Sequence, residues 1–483
     1  MHHANGESKP TMTKDLADDV NMPKRERTPE DWVDDRAFKR TLFKLALPIV
    51  LQSIINAAVN SADVLMLAYV NQSALSATSL AGQISFVLTL FYMGISTGVM
   101  ILGAQYWGIR DIEAIEKIQG YALRKAGVIS LLFFFGTWCF PAALMRLFTP
   151  DQELISLGAD YLKVVGFSYL FMGTSQIFLA TLKSVEQTKV SAIISSVCLV
   201  INVIFNALAI FVFFPNEPHM AIMGVAGATV IARGTELLLC LLLNINGKVV
   251  KLRIRHLIHT EAWLRKSYRQ CAVPVQLNFL IWGGALTATS ALMGHISAEM
   301  VAASSIAVSI RNLATVACSG LSNGGSILLG KHLGAQRIAL AKRDGDKLRK
   351  WSLLLGVMAG LVVLLVRPIC LNMNSVSGET HQLLDGMLFI CAYYCIGKSY
   401  NSTLVGGIFA AGGDTKFGLY CDTAVMWGIV IPLGCLVAFY FEAPPLIIFF
   451  VLCLDEFIKM PIVAWRYRKY LWLNNLTKKR KEV

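Results

Sequence analysis

The sequence predicts an all-α integral membrane protein with twelve transmembrane helices in two six-helix bundles related by a pseudo-twofold axis. Of its 483 residues, 55% are hydrophobic and only 16% are charged, and the mean hydropathy is +0.56. This composition is typical of a membrane protein. The chain also repeats itself at an offset of about 226 residues, which predicts two similar halves packed around a shared cavity. The matching positions include Pro48 and Pro274, Gly94 and Gly320, and Gly108 and Gly334.

Apolar runs of about 18 residues or more predict the individual membrane spans. The twelve runs are 42–68, 77–103, 121–147, 156–182, 190–214, 222–245, 271–296, 302–329, 350–372, 383–409, 418–441 and 444–465. Both halves place a G-x-x-x-G in their second span, which predicts close helix packing.

Basic residues orient these spans. Lys and Arg concentrate in the segments 246–270 and 330–350 and in the C-terminal tail, whereas 69–76 and 215–221 contain none. The positive-inside rule therefore predicts a multi-pass protein of the plasma (inner) membrane with both termini cytoplasmic. The same rule accounts for the net charge of +13, because the basic residues lie mainly in the cytoplasmic segments. The positive charge therefore does not indicate a nucleic-acid partner, and none is expected.

The spans and charges together predict a division of the chain into five parts. They are a cytosolic N-terminal tail at 1–40, an N-lobe at 41–245, a basic cytosolic linker at 246–270, a C-lobe at 271–466 and a basic cytosolic tail at 467–483.

Polar side chains inside the N-lobe spans form the first candidate site. Asp63 lies 19 residues beyond Lys44, roughly 28 Å along a helix, and this places it in the outer half of the membrane. Asn202 and Asn206 are one turn apart and reach a similar depth, and Ser79 and Gln83 begin the second span on that side. A buried carboxylate is costly in lipid, which favours binding of H⁺ or Na⁺ over a purely structural hydrogen bond. Apart from Na⁺ at Asp63, no metal is expected.

The C-lobe differs, because Thr289 occupies the position that corresponds to Asp63. It contains embedded cations instead, Arg311 and Lys398, which could meet an anionic group, titrate, or pair with an acid. Gln276, Asn278 and Trp282 of the seventh span join them as candidate cavity or substrate residues. Two local ion pairs are also predicted, Arg233 with Glu236 in the sixth span and Lys459 with Asp455 and Glu456 in the twelfth.

Other motifs exclude further classes of protein. Gly325–Lys331 resembles the start of a phosphate-binding loop, but His332 replaces its Ser or Thr and the segment ends an apolar span. The 11 cysteines are mostly scattered through apolar runs, which predicts packing residues and no disulfide framework. No catalytic constellation stands out. We therefore expect no catalytic residues, no cofactor and no enzyme.

The sequence around these residues resembles that of the multidrug and toxic compound extrusion (MATE) transporters. The resemblance covers about residues 38–476. The prokaryotic members are the expected group, with the DinF-like branch as one candidate. The matching segments are Leu45–Pro48 through Asp63 to Ala77, Gln105–Gly108 with its echo Lys331–Gly334, Asn202-x-x-x-Asn206, Gly224–Thr229 leading to Arg233, Gly412–Lys416 and Trp472–Leu476.

The resemblance implies a monomeric antiporter that exports organic, cationic or amphipathic drug-like small molecules in exchange for H⁺ or Na⁺. It implies two six-helix lobes that alternate between outward- and inward-open forms, surrounded by membrane lipid. The family's N-lobe cation site corresponds to Asp63, Asn202 and Asn206. This chain lacks the acid that some members have at the Asn206 position and in the seventh span, and Lys398 is unexpected beside a cationic substrate.

Two alternatives remain open at this point. Lys398 and Arg311 would suit a lipid-linked saccharide flippase of the same broad superfamily, whose cavity needs several cations for a pyrophosphate group. A channel or a receptor-like binding protein would not need an acid in one repeat alone.

Overall fold

The computed structural model describes residues 29–246, 250–258, 260–371 and 378–477. Most of the predicted N-terminal tail and the basic residues Lys478–Lys481 lie outside this part of the chain. The chain divides into two compact units, Met1–Thr41 and Leu42–Val483, and all the sites described below belong to the second unit.

The described residues are almost entirely helical, as a chain in lipid must be if its backbone groups are to pair within each segment. Between residues 29 and 246 the structure has seven α-helices: α1 Pro29–Val70, α2 Gln72–Gly108, α3 Ile112–Cys139, α4 Pro141–Arg146, α5 Gln152–Ser184, α6 Thr188–Leu208 and α7 Pro218–Asn246. A π-helical turn, Ala209–Phe213, extends α6.

The short helix α8, Ile254–Ile258, lies in the linker and leads to the second half. The remaining helices are α9 Ala262–Ile296, α10 Ala298–Ala314, α11 Val316–Gly334, α12 Ile338–Leu371, α13 Gly378–Asn401, α14 Thr415–Asp422, α15 Ile431–Cys435, α16 Pro445–Leu452 and α17 Asp455–Arg468. π-Helical segments at Ser402–Phe409, Thr423–Val430 and Leu436–Tyr440 follow α13, α14 and α15.

Within the described residues, nine helical segments are long and apolar enough to cross a membrane, or ten if α10 and α11, bent by 43°, form one span. The predicted spans 383–409 and 444–465 fall outside this count but are also helical. The first is α13 with its π-helical extension and contains Lys398. The second is broken at Cys453–Leu454 between α16 and α17 and carries Asp455, Glu456 and Lys459. The predicted all-α membrane fold is confirmed.

The glycines of the two G-x-x-x-G motifs lie where the N-lobe and C-lobe touch. A Cβ atom at Gly94 would collide with the backbone of Gln276, and one at Gly320 would collide with the side chain of Val50. Gln276 and Val50 are themselves 226 residues apart, so the two contacts are related by the internal repeat. Gly98 against Ala272 and Gly324 against Ala46 repeat the pattern one turn further on. Small residues allow this close approach of helices in lipid.

The short turns after four of the spans share one backbone conformation. Arg110, Glu186 and Gln336 have φ values of 57°, 65° and 61°, and Gly413 has 77°. This left-handed conformation ends a helix within a residue or two and suits glycine best. Three of the four positions nevertheless carry long polar side chains, and Glu186 is used for a contact between the lobes.

Candidate functional site

An N-lobe polar pair forms where α1 faces α6. Asn206 donates a hydrogen bond from Nδ2 to Oδ1 of Asp63 at 2.8 Å. The Asn206 side chain is buried, with 2% of its surface exposed, whereas Asp63 remains half-buried. Asp63 therefore combines an amide partner with a partly exposed carboxylate.

The neighbours of this pair are also polar and come from α6 and α7. Asn202 lies one turn before Asn206, with its Oδ1 atom 3.5 Å from Nδ2 of Asn206, and its own Nδ2 lies 3.4 Å from Oγ1 of Thr229. Oδ1 of Asn206 is buried and has no hydrogen-bond partner within the described part of the chain. The cluster thus offers a carboxylate and a spare amide oxygen, the oxygen ligands that a small hard cation prefers.

The local structure explains why these groups meet. Asn202 and Asn206 are four residues apart on α6 and so share one face. The π-helical turn Ala209–Phe213 begins three residues after Asn206, and such turns are frequent at functional sites.

Two predicted members of the N-lobe site lie elsewhere. Ser79 and Gln83 are exposed on α2, and among the described residues neither makes a hydrogen bond with Asp63. Their role as lining residues of a cavity stays a prediction.

A second N-lobe cluster surrounds Glu236, whose side chain is only 1% exposed. Arg233 contacts it at 3.0 Å, as the spacing of the two residues predicts. Ser175 of α5 and Ser195 of α6 also donate hydrogen bonds to it, at 3.0 and 3.4 Å. We call these four residues the N-lobe charged cluster.

The C-lobe contains a larger buried network, the C-lobe charged cluster. At its centre, Lys459 contacts Asp422 and Asp455 at 3.0 Å each, and Glu456 at 3.9 Å. Asn401 donates to the Glu456 carboxylate at 2.8 Å. The cluster joins α13, α14 and α17.

The predicted C-lobe cavity residues border this cluster. Lys398 lies 3.3 Å from Glu456 and 5.6 Å from the centre of the Trp282 ring. Asn278 donates to Asp422 at 2.9 Å, and Arg311 lies 4.3 Å from the centre of the Tyr394 ring. Gln276 is separate, because it packs against Gly94 between the lobes.

Sequence reasoning missed Asp422 and Asn401. Asp422 lies within the predicted apolar span 418–441, and a charged residue inside a span indicates a functional or paired site. That rule could have identified Asp422 from the sequence. Of the three alternatives for Lys398, pairing with an acid is the one that the structure contains, and the acid is Glu456 of another helix.

The two lobes also meet at the ends of α2 and α11. Nζ of Lys331 contacts the Glu186 carboxylate at 2.8 and 3.0 Å, and Trp107 donates to it at 3.2 Å. Burial opposes ionisation of Glu186, but these donors hold its pKa below the ordinary value. Gln105 occupies the position in the first repeat that corresponds to Lys331 in the second. It donates a hydrogen bond to the Ala411 carbonyl at 2.7 Å, so it too connects the two lobes.

The segment after α17 reinforces the same end of the molecule. Leu476 donates its backbone N–H to the side-chain oxygen of Gln105 at 2.7 Å, and Asn475 donates to the Gly334 carbonyl at 3.2 Å. These contacts join the C-terminal segment to both lobes.

Comparison with known proteins identifies this fold. The chain is 23% identical over 446 residues to the uncharacterized transporter YisQ of Bacillus subtilis, covering 91% of this chain and 96% of YisQ. It is 24% identical over 434 residues to the probable multidrug resistance protein NorM of Rhizobium meliloti, covering 82% and 87% of the two chains. The solved MATE transporter VcmN of Vibrio cholerae superposes with a TM-score of 0.80 at 16% identity, covering 91% and 97%.

A two-lobed bundle of apolar helices with polar clusters in its interior defines a multi-pass membrane transporter. The MatE family model matches residues 48–208 and 274–436, one segment in each lobe. The chain belongs to this family, the MATE transporters, which confirms the resemblance drawn from the motifs. Its placement in the DinF-like branch stays a prediction.

Proposed function

We propose that the protein is a secondary active efflux antiporter that exports organic, cationic or amphipathic compounds in exchange for H⁺ or Na⁺. The contact between Asp63 and Asn206 carries this proposal, because it places one carboxylate in an otherwise uncharged cluster with a spare amide oxygen beside it. The names of the NorM relatives support the class of substrate.

The coupling step follows from the chemistry of the carboxyl group. An ionised Asp63 only accepts hydrogen bonds, so it accepts one from Asn206. Protonation turns one of its oxygens into a donor, and Na⁺ would draw both side chains towards itself. Either event changes the contact between α1 and α6, and this change rearranges the N-lobe and favours release of substrate.

The proposed direction of transport rests on the charge distribution and the contacts between the lobes. The contacts at Lys331, Gln105 and the C-terminal segment lie at the end where the basic segments begin. With that end in the cytoplasm of an inner-membrane protein, these contacts close the cavity on the inside. Inward movement of one charge then supplies about 2.3 kcal/mol per 100 mV.

Replacement of the coupling carboxylate is the direct test. Asp63→Asn preserves size and hydrogen bonding but removes the charge, so ion-driven accumulation of dye in everted vesicles should fall to background under both a pH gradient and a Na⁺ gradient. Imposing the gradients separately identifies the ion.

Asp160→Asn is the matched control. Asp160 contacts Lys163 at 3.4 Å and His219 at 3.2 Å and is partly exposed, so the same substitution there should leave efflux unchanged. Full export by Asp63→Asn, with an unaltered melting temperature, would reject this mechanism.

The flippase alternative is less consistent with the charges. A pyrophosphate group needs unneutralised cations, but Lys398 and Lys459 share three carboxylates, Asp422, Asp455 and Glu456. The C-lobe interior therefore has no clear excess of positive charge.

A further inference from the structure

A strongly basic pocket lies at the junction of the N-lobe, the linker and the C-lobe. It has a volume of about 430 Å³ and is formed by the start of α3, by α8 and by the start of α9. Its basic lining residues are Lys117, Arg124, Arg253, Arg255 and Arg265. A second cavity of about 300 Å³ shares Arg124 and Arg265 with it and adds Lys125 and Arg269.

The carboxylates around this pocket already have partners. Lys117 contacts both Glu113 and Glu261, at 2.7 and 2.6 Å. Arg253 contacts Glu116 at 3.1 Å. These three acids therefore pair with Lys117 and Arg253, and the described ion pairs assign none of them to Arg255 or Arg265.

Three arginines of the two cavities have no acidic neighbour among the described residues. Within the described part of the chain, no carboxylate lies within 4 Å of Arg255, Arg265 or Arg269. His256 adds no charge near neutral pH, because burial lowers its pKa. The pocket is consequently suited to an anion.

An apolar stripe continues from the basic end along α3. Val128 lines the second cavity, and Leu131, Leu132 and Phe135 follow at helical spacing on the same face. All four side chains are exposed, Val128 by 55% and Leu132 by 69%. From Arg124 to Phe135 the stripe is about 16 Å long, comparable with half the hydrocarbon core of a bilayer.

We propose that this pocket binds an anionic phospholipid, with its phosphate between Arg124 and Arg265 and its acyl chains along the stripe from Val128 to Phe135. An arginine guanidinium group can donate two parallel hydrogen bonds to two oxygens of one phosphate. Basic pockets between membrane helices bind anionic lipid head groups. The order of charge and apolar surface along α3 matches a lipid and does not match a free phosphate ion.

The position of the pocket gives the bound lipid a structural consequence. Arg124 belongs to the N-lobe, whereas Arg265 begins the helix that enters the C-lobe. One phosphate between them joins the two lobes at the linker, so the lipid should stabilise the arrangement described here. This inference is independent of the transported substrate and of the coupling ion.

Native mass spectrometry of the purified full-length protein tests the proposal, with phosphatidylglycerol and phosphatidylcholine as probes. The wild type should retain phosphatidylglycerol preferentially. Arg124→Gln/Arg265→Gln should weaken that binding about 30-fold, since each basic residue contributes about fivefold, and should leave phosphatidylcholine binding unchanged.

Lys350→Gln is the matched control. Lys350 is exposed and occupies the position 226 residues after Arg124, outside both cavities, so its replacement should not alter lipid binding. Equal retention of the two lipids by the wild type, or undiminished phosphatidylglycerol binding by the double variant, would overturn the proposal.

Two further measurements remain decisive if the double variant does not fold. A photoreactive phosphatidylglycerol should label wild-type peptides from 122–135 and 262–270, and labelling confined to other segments would contradict the proposed site. Inorganic phosphate at concentrations equal to the lipid should not displace it. Complete displacement would identify a free-anion site instead.

Discussion

The charged clusters of the two lobes lie on corresponding spans, whereas the pair of Asp63 and Asn206 has no counterpart at the matching positions. The N-lobe charged cluster joins the fourth, fifth and sixth spans, and the C-lobe charged cluster joins the tenth, eleventh and twelfth. Each contains a glutamate and a basic residue three positions apart, Arg233 with Glu236 and Glu456 with Lys459. Position 289, which corresponds to Asp63, is threonine.

This difference separates two uses of buried charge. A charged cluster that occurs in both lobes holds three spans of each lobe together, and its charges have partners within the protein. A carboxylate that occurs in one lobe only, with amides and no cation as partners, can bind an ion from outside. The following substitutions test that division.

The largest expected effect concerns Lys459. Its side chain is only 6% exposed and contacts three carboxylates, so Lys459→Met leaves them buried without their shared cation. Loss of one partner from such a cluster costs about 3–5 kcal/mol. Thermal unfolding in detergent should show a much lower melting temperature and poor yield.

Lys398→Met provides the comparison within the same cluster. Lys398 is 34% exposed and, among the described carboxylates, pairs only with Glu456, which keeps Lys459 and Asn401 as partners. The expected loss is therefore about 1 kcal/mol or less. Equal destabilisation by the two substitutions would show that the cluster does not depend on Lys459.

An intermediate effect is expected at the amides of the N-lobe polar pair. Asn206→Ala removes the 2.8 Å hydrogen bond to a charged group, a contribution of about 1.5–3 kcal/mol. The ion concentration that gives half-maximal efflux should therefore shift by about 10- to 150-fold.

Asn202→Ala is the matched variant one turn away. Asn202 makes no hydrogen bond to Asp63 within the described residues, and its bond to Asn206 is long at 3.5 Å, so a shift below about fivefold is expected. If the two alanine variants shift the ion dependence equally, the direct contact with Asp63 is not what sets the affinity for the ion.

The smallest expected effect is at Glu186. Glu186→Gln should weaken the contact with Lys331 by about 1 kcal/mol. The backbone amides of residues 331–337 should then open more often, and their hydrogen exchange should be faster. A carboxyl with a lowered pKa stabilises the contact above its ordinary value of 4.5, and the contribution is lost only as the pH falls through the lowered pKa.

The pH dependence of Glu186 also separates it from the coupling site. Between about pH 5 and 8 Glu186 stays ionised, so opening at 331–337 should not change over that range. A change in wild-type exchange there, and its absence in Glu186→Gln, would contradict the lowered pKa.

The fold and the residues of the proposed coupling site could be selected from the sequence for a common reason. Long apolar runs and a repeated glycine pattern are periodic signals, and an isolated acid within such a run is conspicuous. Asn202 and Asn206 lie four residues apart, so their spacing in the sequence predicts that they share one face of a helix. Asp63 and Asn206, however, are 143 residues apart, and only the structure gives their contact.

The C-lobe was less predictable because its contacts connect distant segments. Lys459 and Asp455 are close in sequence and were paired correctly, but Asp422 reaches Lys459 from α14 and Glu456 reaches Lys398 from α17. No local spacing encodes such pairs. The positions of Ser79 and Gln83 also depend on how α2 turns within the bundle, which hydropathy does not specify.

The crossed glycine contacts between the lobes have an evolutionary consequence. Because the contact of Gly94 with Gln276 and that of Gly320 with Val50 are related by the internal repeat, the joint between the lobes has the form of a symmetric homodimer interface. It is built around four glycines and their close neighbours, so it constrains few side chains elsewhere. After duplication, one copy could therefore gain or lose an ionisable group without disturbing the surface that joins it to the other.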